Sequence, residues 1–174
     1  MAHTYWLTGL SGAGKTTIGR LWYEQLRRTR PNVVFLDGDT LREVFGDDLG
    51  FTEADRRKSA MRNARLCALL AGQGIDVVCC TISMFDSVRD WNRAHIPGYI
   101  EIYIKASMET LRKRDQKGLY SAGKSDVAGV HFSVEEPKNP DITLINDGVQ
   151  TPEQQISYLK TKLHQNFDAS PIKE

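Results

Sequence analysis

Cysteine is scarce in this chain: Cys67, Cys79 and Cys80 are all it has. Three thiols cannot all pair, and none stands at zinc-ligand spacing with a histidine, so neither a disulfide framework nor a zinc site organises the fold. Reduced thiols are the expectation, with the adjacent Cys79 and Cys80 on opposite faces of a buried strand. The four histidines, His3, His95, His131 and His164, form no cluster. An excess of charge is also lacking. Lysine plus arginine number 23 and aspartate plus glutamate 22, a balance that gives no general affinity for nucleic acid or a membrane surface. No apolar run approaches the roughly 20 residues of a membrane span, and the start carries no secretory h-region, so a cytoplasmic location is expected. Internal repeats are absent. What remains is 40% hydrophobic and 26% charged, ordinary for a globular protein, and 174 residues point to one domain over 1–174.

Against this plain background, residues 9–16 read GLSGAGKT, a full match to G-x-x-x-x-G-K-[S/T]. Gly9, Ser11, Gly12, Ala13 and Gly14 form a loop whose backbone N–H groups can converge on a polyphosphate. Lys15 supplies a point charge for the β- and γ-phosphates, and Thr16 offers a hydroxyl to Mg²⁺, with Thr17 beside it. The surroundings fit. Residues 4–8 are β-branched and aromatic, and Ile18, Leu21, Trp22 and Leu26 follow Lys15 at helical spacing. A strand, a glycine loop and a helix in that order predict a phosphate site for a nucleoside triphosphate.

Five short apolar runs, at 5–8, 33–36, 77–82, 100–104 and 142–145, alternate with helical patterns. That alternation, together with the phosphate loop, predicts an α/β fold of three layers, the P-loop type, around a central, mainly parallel five-stranded sheet. Ligands of such sheets bind beyond the carboxyl ends of the strands. Asp37 and Asp39 follow the second run, where two carboxylates can hold Mg²⁺ or take a proton from a hydroxyl nucleophile. Aspartate and glycine can also merely make a turn there. Residues 52–73 read as a long helix with Thr52 as its N-cap. On it, Arg56 pairs naturally with Arg42 to clamp an anionic acceptor, while Arg57 and Lys58 read as a solvated face. Phe51 is placed either to stack a nucleobase or to anchor the core. Arg112, Arg114 and Lys117 precede a stretch at 118–140, rich in glycine, serine and lysine, within a segment at about 115–140 that reads as a lid. They can bring positive charge near a transferring phosphoryl group. Thr151-Pro152-Glu153 opens the last helix.

Six motifs occur in one order: GLSGAGKTT, FLDGDTLRE, DDLGFTEADRR, the TIS run ending at Ser83, RDQKGLY and EEPKNPD. Together they resemble the adenylylsulfate kinase family over roughly residues 5–147. The resemblance implies a MgATP-dependent kinase acting on the ribose 3′-hydroxyl of adenosine 5′-phosphosulfate, in a family whose members are often dimers. Carried over by position, Asp39 resembles the catalytic carboxylate, supported by Lys15 and by Asp37 at metal and water. Arg42, Phe51 and Arg56 resemble acceptor-binding positions, as do Ile82 and Ser83. Lys117, Gly118, Leu119 and Tyr120 match the start of the family's lid, and Arg114 goes with the ATP site.

The match weakens where the acceptor is read. The family usually has asparagine where this chain has Ser59, proline where it has Met84, and a lid phenylalanine where it has Val127. Valine cannot replace an aromatic face that stacks a base, a contact worth about 1–3 kcal/mol or about tenfold and more in affinity. The same pattern is similar to a branch of the family found with capsule biosynthesis, which phosphorylates cytidine diphosphoramidate. The sequence reading therefore expects adenosine 5′-phosphosulfate as acceptor and keeps cytidine diphosphoramidate as the alternative. A non-catalytic nucleotide-binding module is disfavoured because Lys15, Thr16, Asp37 and Asp39 occur together. A small-metabolite kinase is disfavoured by FLDGDTLRE and KGLY.

Overall fold

The computed structural model describes residues 1–115, 118, 120 and 134–168. Five strands form its sheet: β1 (Thr4–Thr8), β2 (Val33–Asp37), β3 (Asp76–Cys80), β4 (Tyr99–Lys105) and β5 (Ile142–Ile145). Their order is β2-β3-β1-β4-β5, and every pairing is parallel. The sheet expected to be mainly parallel is thus wholly so. β1 lies in the centre, so the crossover direction reverses on either side of it, and its carboxyl end opens at the switch point.

Six α-helices cover the two faces: α1 (Lys15–Arg27), α2 (Gly38–Val44), α3 (Glu53–Gly72), α4 (Asp86–His95), α5 (Met108–Arg114) and α6 (Pro152–Leu163). Side chains of a strand alternate between faces, and β1 divides accordingly. Tyr5 and Leu7 join Ile18, Trp22 and Leu26 of α1 and Ile156 and Leu159 of α6 in one core. Trp6 points the other way, into a core with Ala60, Ala64 and Cys67 of α3 and Val88 of α4. Cys80 belongs to the first core and Cys79 to the second, and all three cysteines are free and buried. Burial pushes the Cys80 thiol far above its ordinary range, so it is inert rather than nucleophilic.

Local chemistry fixes the helix starts. Thr52 accepts from the Asp55 amide to cap α3, and Thr151 and Gln154 form a reciprocal capping box at α6, with Pro152 in its first turn. Two helices differ from the simple sequence pattern. The Asp-Gly-Asp run that also fits a turn starts α2 instead, with the Asp37 carboxylate accepting from the Asp39 amide as an N-cap. α4 has no side-chain cap and buries Arg89 and Asn92 on its inner face. Among the described residues, no helix is long and apolar enough to cross a membrane.

Candidate active site

The loop leaving β1 wraps over the amino end of α1. Gly14 holds a left-handed conformation there, with φ of 102°, which a side chain would resist. Four consecutive carbonyls of this loop are each held by a side chain. Lys15 Nζ donates to Leu10 O at 2.7 Å and the Tyr120 hydroxyl to Ser11 O at 2.8 Å. Arg114 Nη1 donates to Gly12 O at 3.2 Å and Asn146 Nδ2 to Ala13 O at 2.7 Å. With carbonyls occupied from outside, the opposed N–H groups and the first turn of α1 are left to meet an anion. No acidic residue stands in that first turn to oppose one.

The side chains expected at a metal connect directly to this loop. Thr16 Oγ1 donates to Asp37 Oδ2 at 2.7 Å, and the other oxygen of Asp37 accepts from the Asp39 amide at 3.0 Å. One carboxylate therefore bridges the phosphate loop and the first turn of α2, which carries the exposed Asp39. Two adjacent oxygen donors suit Mg²⁺, which keeps most of its waters and binds through one or two protein oxygens plus phosphate. Among the described residues no cluster of three or more His, Cys, Asp or Glu could cage a metal alone. The donor set fits an ion that arrives with its nucleotide.

A single cleft runs from Ser11, Gly12, Gly14, Lys15, Thr16 and Thr17 past Asp37 and Asp39 to a second half. That half is lined by Arg42, Phe51, Arg56, Ser59, Ala60, Asn63, Ile82 and Ser83. Phe51 is 55% exposed, which removes the reading of it as a core anchor. Its ring lies 4.3 Å from the Arg42 guanidinium and 5.3 Å from that of Arg56. Arg42 also donates to Leu49 O and, at 3.1 Å, to Gly50 O, and Arg56 Nε donates to Phe51 O at 2.8 Å. The two arginines thus shape the aromatic loop as well as lining the cleft. Farther out, Arg62 grips Asp48 through two bonds of 2.8 and 2.9 Å and holds its carboxyl below the usual range. That fork ties the loop before α3 to α3 itself.

On the β3 side, Thr8 Oγ1 donates to Ile82 O at 2.5 Å, and the hydroxyls of Thr81 and Ser83 meet at 2.7 Å. Ser83 takes a positive φ of 34°, which turns the chain sharply at the cleft wall. Met84 is buried to 2% exposure and is not among the lining residues, so its side chain serves the core while its carbonyl accepts from Glu135 N. Gly9 and Ala13 are buried beneath the loop. Arg114, expected at ATP, braces the loop from behind through Gly12 O and, at 2.8 Å, Asn146 O. Lys117, Leu119 and Val127, like most of the expected lid, lie outside the described residues, while Gly118 and Tyr120 lie within them.

Sequence reasoning missed Asn146 and Asn63. Asn146 stands just after β5, at the strand end where site residues are sought, but in an Asn-Asp-Gly sequence that equally suits a turn. Replacing Asn146 by alanine removes the hold on Ala13 O without touching the ligand's own contacts. One lost hydrogen bond of this kind is worth about 1 kcal/mol, so the Kd for ATP should rise about fivefold by calorimetry. An unchanged Kd would mean the loop keeps its shape without Asn146.

This is the donor cleft of a P-loop phosphotransferase, with a second pocket beside it. The sequence matches the adenylylsulphate kinase family over residues 1–145, and the chain belongs to that family. A cytidine diphosphoramidate kinase of Campylobacter jejuni is 38% identical over 162 residues, covering 91% of this chain and 94% of that one. An adenylyl-sulfate kinase of Halothermothrix orenii is 39% identical over 171 residues, covering 94% and 92%. Among solved structures, the Mycobacterium tuberculosis APS kinase CysC in complex with AMPPNP and APS superposes with a TM-score of 0.84. It is 30% identical and covers 94% of this chain and 98% of that one. The protein is therefore an ATP-dependent kinase of the adenylylsulfate kinase type.

Proposed function

We propose that the chain transfers the γ-phosphoryl group of MgATP to the ribose 3′-hydroxyl of a cytidine diphosphate derivative, of the cytidine diphosphoramidate type. The observation that carries the acceptor choice is the split character of the one cleft. Its donor half gathers Ser11, Gly12, Gly14, Lys15, Thr16, Thr17 and Asp37, while Ser59 stands on the acceptor wall in place of the family's asparagine, and the sequence has Val127 in place of the lid aromatic. A purine loses most from the missing aromatic face, since it offers the larger surface to stack. The likeness to the Campylobacter jejuni enzyme supports the same choice. Adenosine 5′-phosphosulfate is the second reading, favoured by the extent of the likeness to the Mycobacterium tuberculosis enzyme solved with APS.

In this reading Arg42 and Arg56 hold the acceptor's anionic 5′ group by paired hydrogen bonds, and Phe51, Ile82 and Ser83 wall its nucleoside. Asp39 takes the proton of the 3′-hydroxyl as that oxygen bonds to the γ-phosphorus. The bond from the γ-phosphorus to the β–γ bridging oxygen breaks, and ADP leaves. Lys15 and the loop amides hold the β- and γ-phosphates in place. Thr16 and Asp37 would hold Mg²⁺, which supplies charge neutralisation at those phosphates when bound. Release of ADP from MgATP in the presence of each acceptor, with phosphorus NMR of the product, tests the assignment. New phosphate on the 3′-oxygen, and an inert 3′-deoxy acceptor, is the expected result. ADP release without a phosphorylated acceptor would contradict it.

A further inference from the structure

Asn63 lies on α3 one helical turn beyond Ser59 and two turns beyond Arg56, so the three share a face of that helix. It lines the cleft at 2% exposure, and its Oδ1 is buried without a hydrogen-bond partner. Other buried polar atoms of the described residues also lack partners, among them Trp6 Nε1, Asn92 Oδ1 and Tyr99 Oη. None of those residues lines the cleft. Burying an amide oxygen with no donor is costly and is seldom tolerated without a reason. The hydroxyls of Ser59, Thr81 and Ser83 line the same cleft, and none of them donates to it.

We infer that Asn63 is a specificity-determining residue that reads the acceptor base through an exocyclic amine beside a ring nitrogen, the edge that cytosine presents. The inference rests on the proposed acceptor pocket and deepens it. A side-chain amide matches that edge with both of its groups. Oδ1 accepts from the amine, and Nδ2 donates to the ring nitrogen, which carries no hydrogen. In the orientation the structure gives this amide, with Oδ1 on the buried side, a keto base reverses both positions: its carbonyl faces Oδ1 and its ring N–H faces Nδ2, leaving acceptor against acceptor and donor against donor unless the amide turns over. The site therefore takes an amino base and rejects the keto base of the same size. The family's asparagine, absent at Ser59, is replaced in this reading by an amide set one turn along the helix.

The edge belongs to cytosine and, in a larger ring system, to adenine, so the test has an arm for each. Calorimetric titration of the whole protein with CDP, UDP, AMP and IMP needs no turnover. CDP should bind at least about tenfold more tightly than UDP, and Asn63→Ala should bring that ratio close to one. Asn63→Asp is nearly isosteric, keeps the acceptor and loses the donor, so it should move preference toward UDP, whose ring N–H a carboxylate accepts. Unchanged ATP affinity and melting temperature in both variants show that the fold is intact. If AMP over IMP, rather than CDP over UDP, is the pair that depends on Asn63, the edge reading stands and the cytidine assignment falls. If CDP is favoured through Asn63 yet no acceptor is phosphorylated, the inference stands and the kinase assignment falls. Equal binding of amino and keto partners, no binding of any of the four, or a preference that survives in Asn63→Ala would overturn the inference.

Discussion

Asp39→Asn should lower kcat by about 10²–10⁴-fold, the span expected when a general base is removed, while the Kd for ATP stays nearly unchanged. Asparagine has the same volume, and the contact that fixes the residue uses its backbone: the amide of residue 39 donates to Asp37 at 3.0 Å. The first turn of α2 therefore survives the change, as does the bond from Thr16 to Asp37. Only the capacity to take a proton disappears. Single-turnover rates measured beside ATP titrations separate the two effects. A protein that merely binds nucleotide would show no transfer before the change and none after it. Loss of ATP binding together with transfer would instead place Asp39 in the donor site.

Lys15→Met should cost about 10²–10³ in kcat/KM for ATP, the size found when one preorganised group at a developing charge is removed. Methionine keeps an unbranched apolar stem and removes the ammonium. Lys15 Nζ rests on the carbonyl of Leu10, where it helps hold the loop as well as carrying charge to its mouth. The two roles predict different signatures. A charge role lowers kcat and kcat/KM together, because the interaction strengthens as the phosphoryl group moves. If KM alone rises, Lys15 only tethers the ground state or the loop.

The donor half was legible in the sequence because its chemistry is local. Gly9 to Thr16 are contiguous, Asp37 and Asp39 follow a strand, and the glycines and the lysine have few other reasons to occur together. The strands were equally clear, since β1 and β3 are buried along their whole length and read as apolar runs. α2 and α4 were harder. α2 is seven residues long and begins in Asp-Gly-Asp, letters that also spell a turn. α4 turns Arg89 and Asn92 inward, which breaks the apolar stripe by which a helix is recognised. There the arginine pairs with the buried Glu101 of β4 at 3.5 Å, a partner on the next element that the helical pattern alone does not show.

The rest of the site depends on contacts that spacing along the chain does not give. Phe51 meets both Arg42 and Arg56 because Arg42 holds the loop before α3 through the Leu49 and Gly50 carbonyls. On the donor side, Asn146 reaches back 133 positions to Ala13, a meeting set by the sheet order. Asn63 gave no signal of its own. A polar residue on a long helix reads as solvent-facing until the packing of α3 on the sheet shows it buried.

In the proposed reading an intact donor site is joined to an acceptor pocket that does not favour adenine. Parallel kcat/KM measurements for cytidine diphosphoramidate and adenosine 5′-phosphosulfate, at saturating MgATP, test it most directly. A cytidine preference of about tenfold or more is expected, the size of one lost stacking contact. A preference for adenosine 5′-phosphosulfate, or equal use of the two, would contradict it.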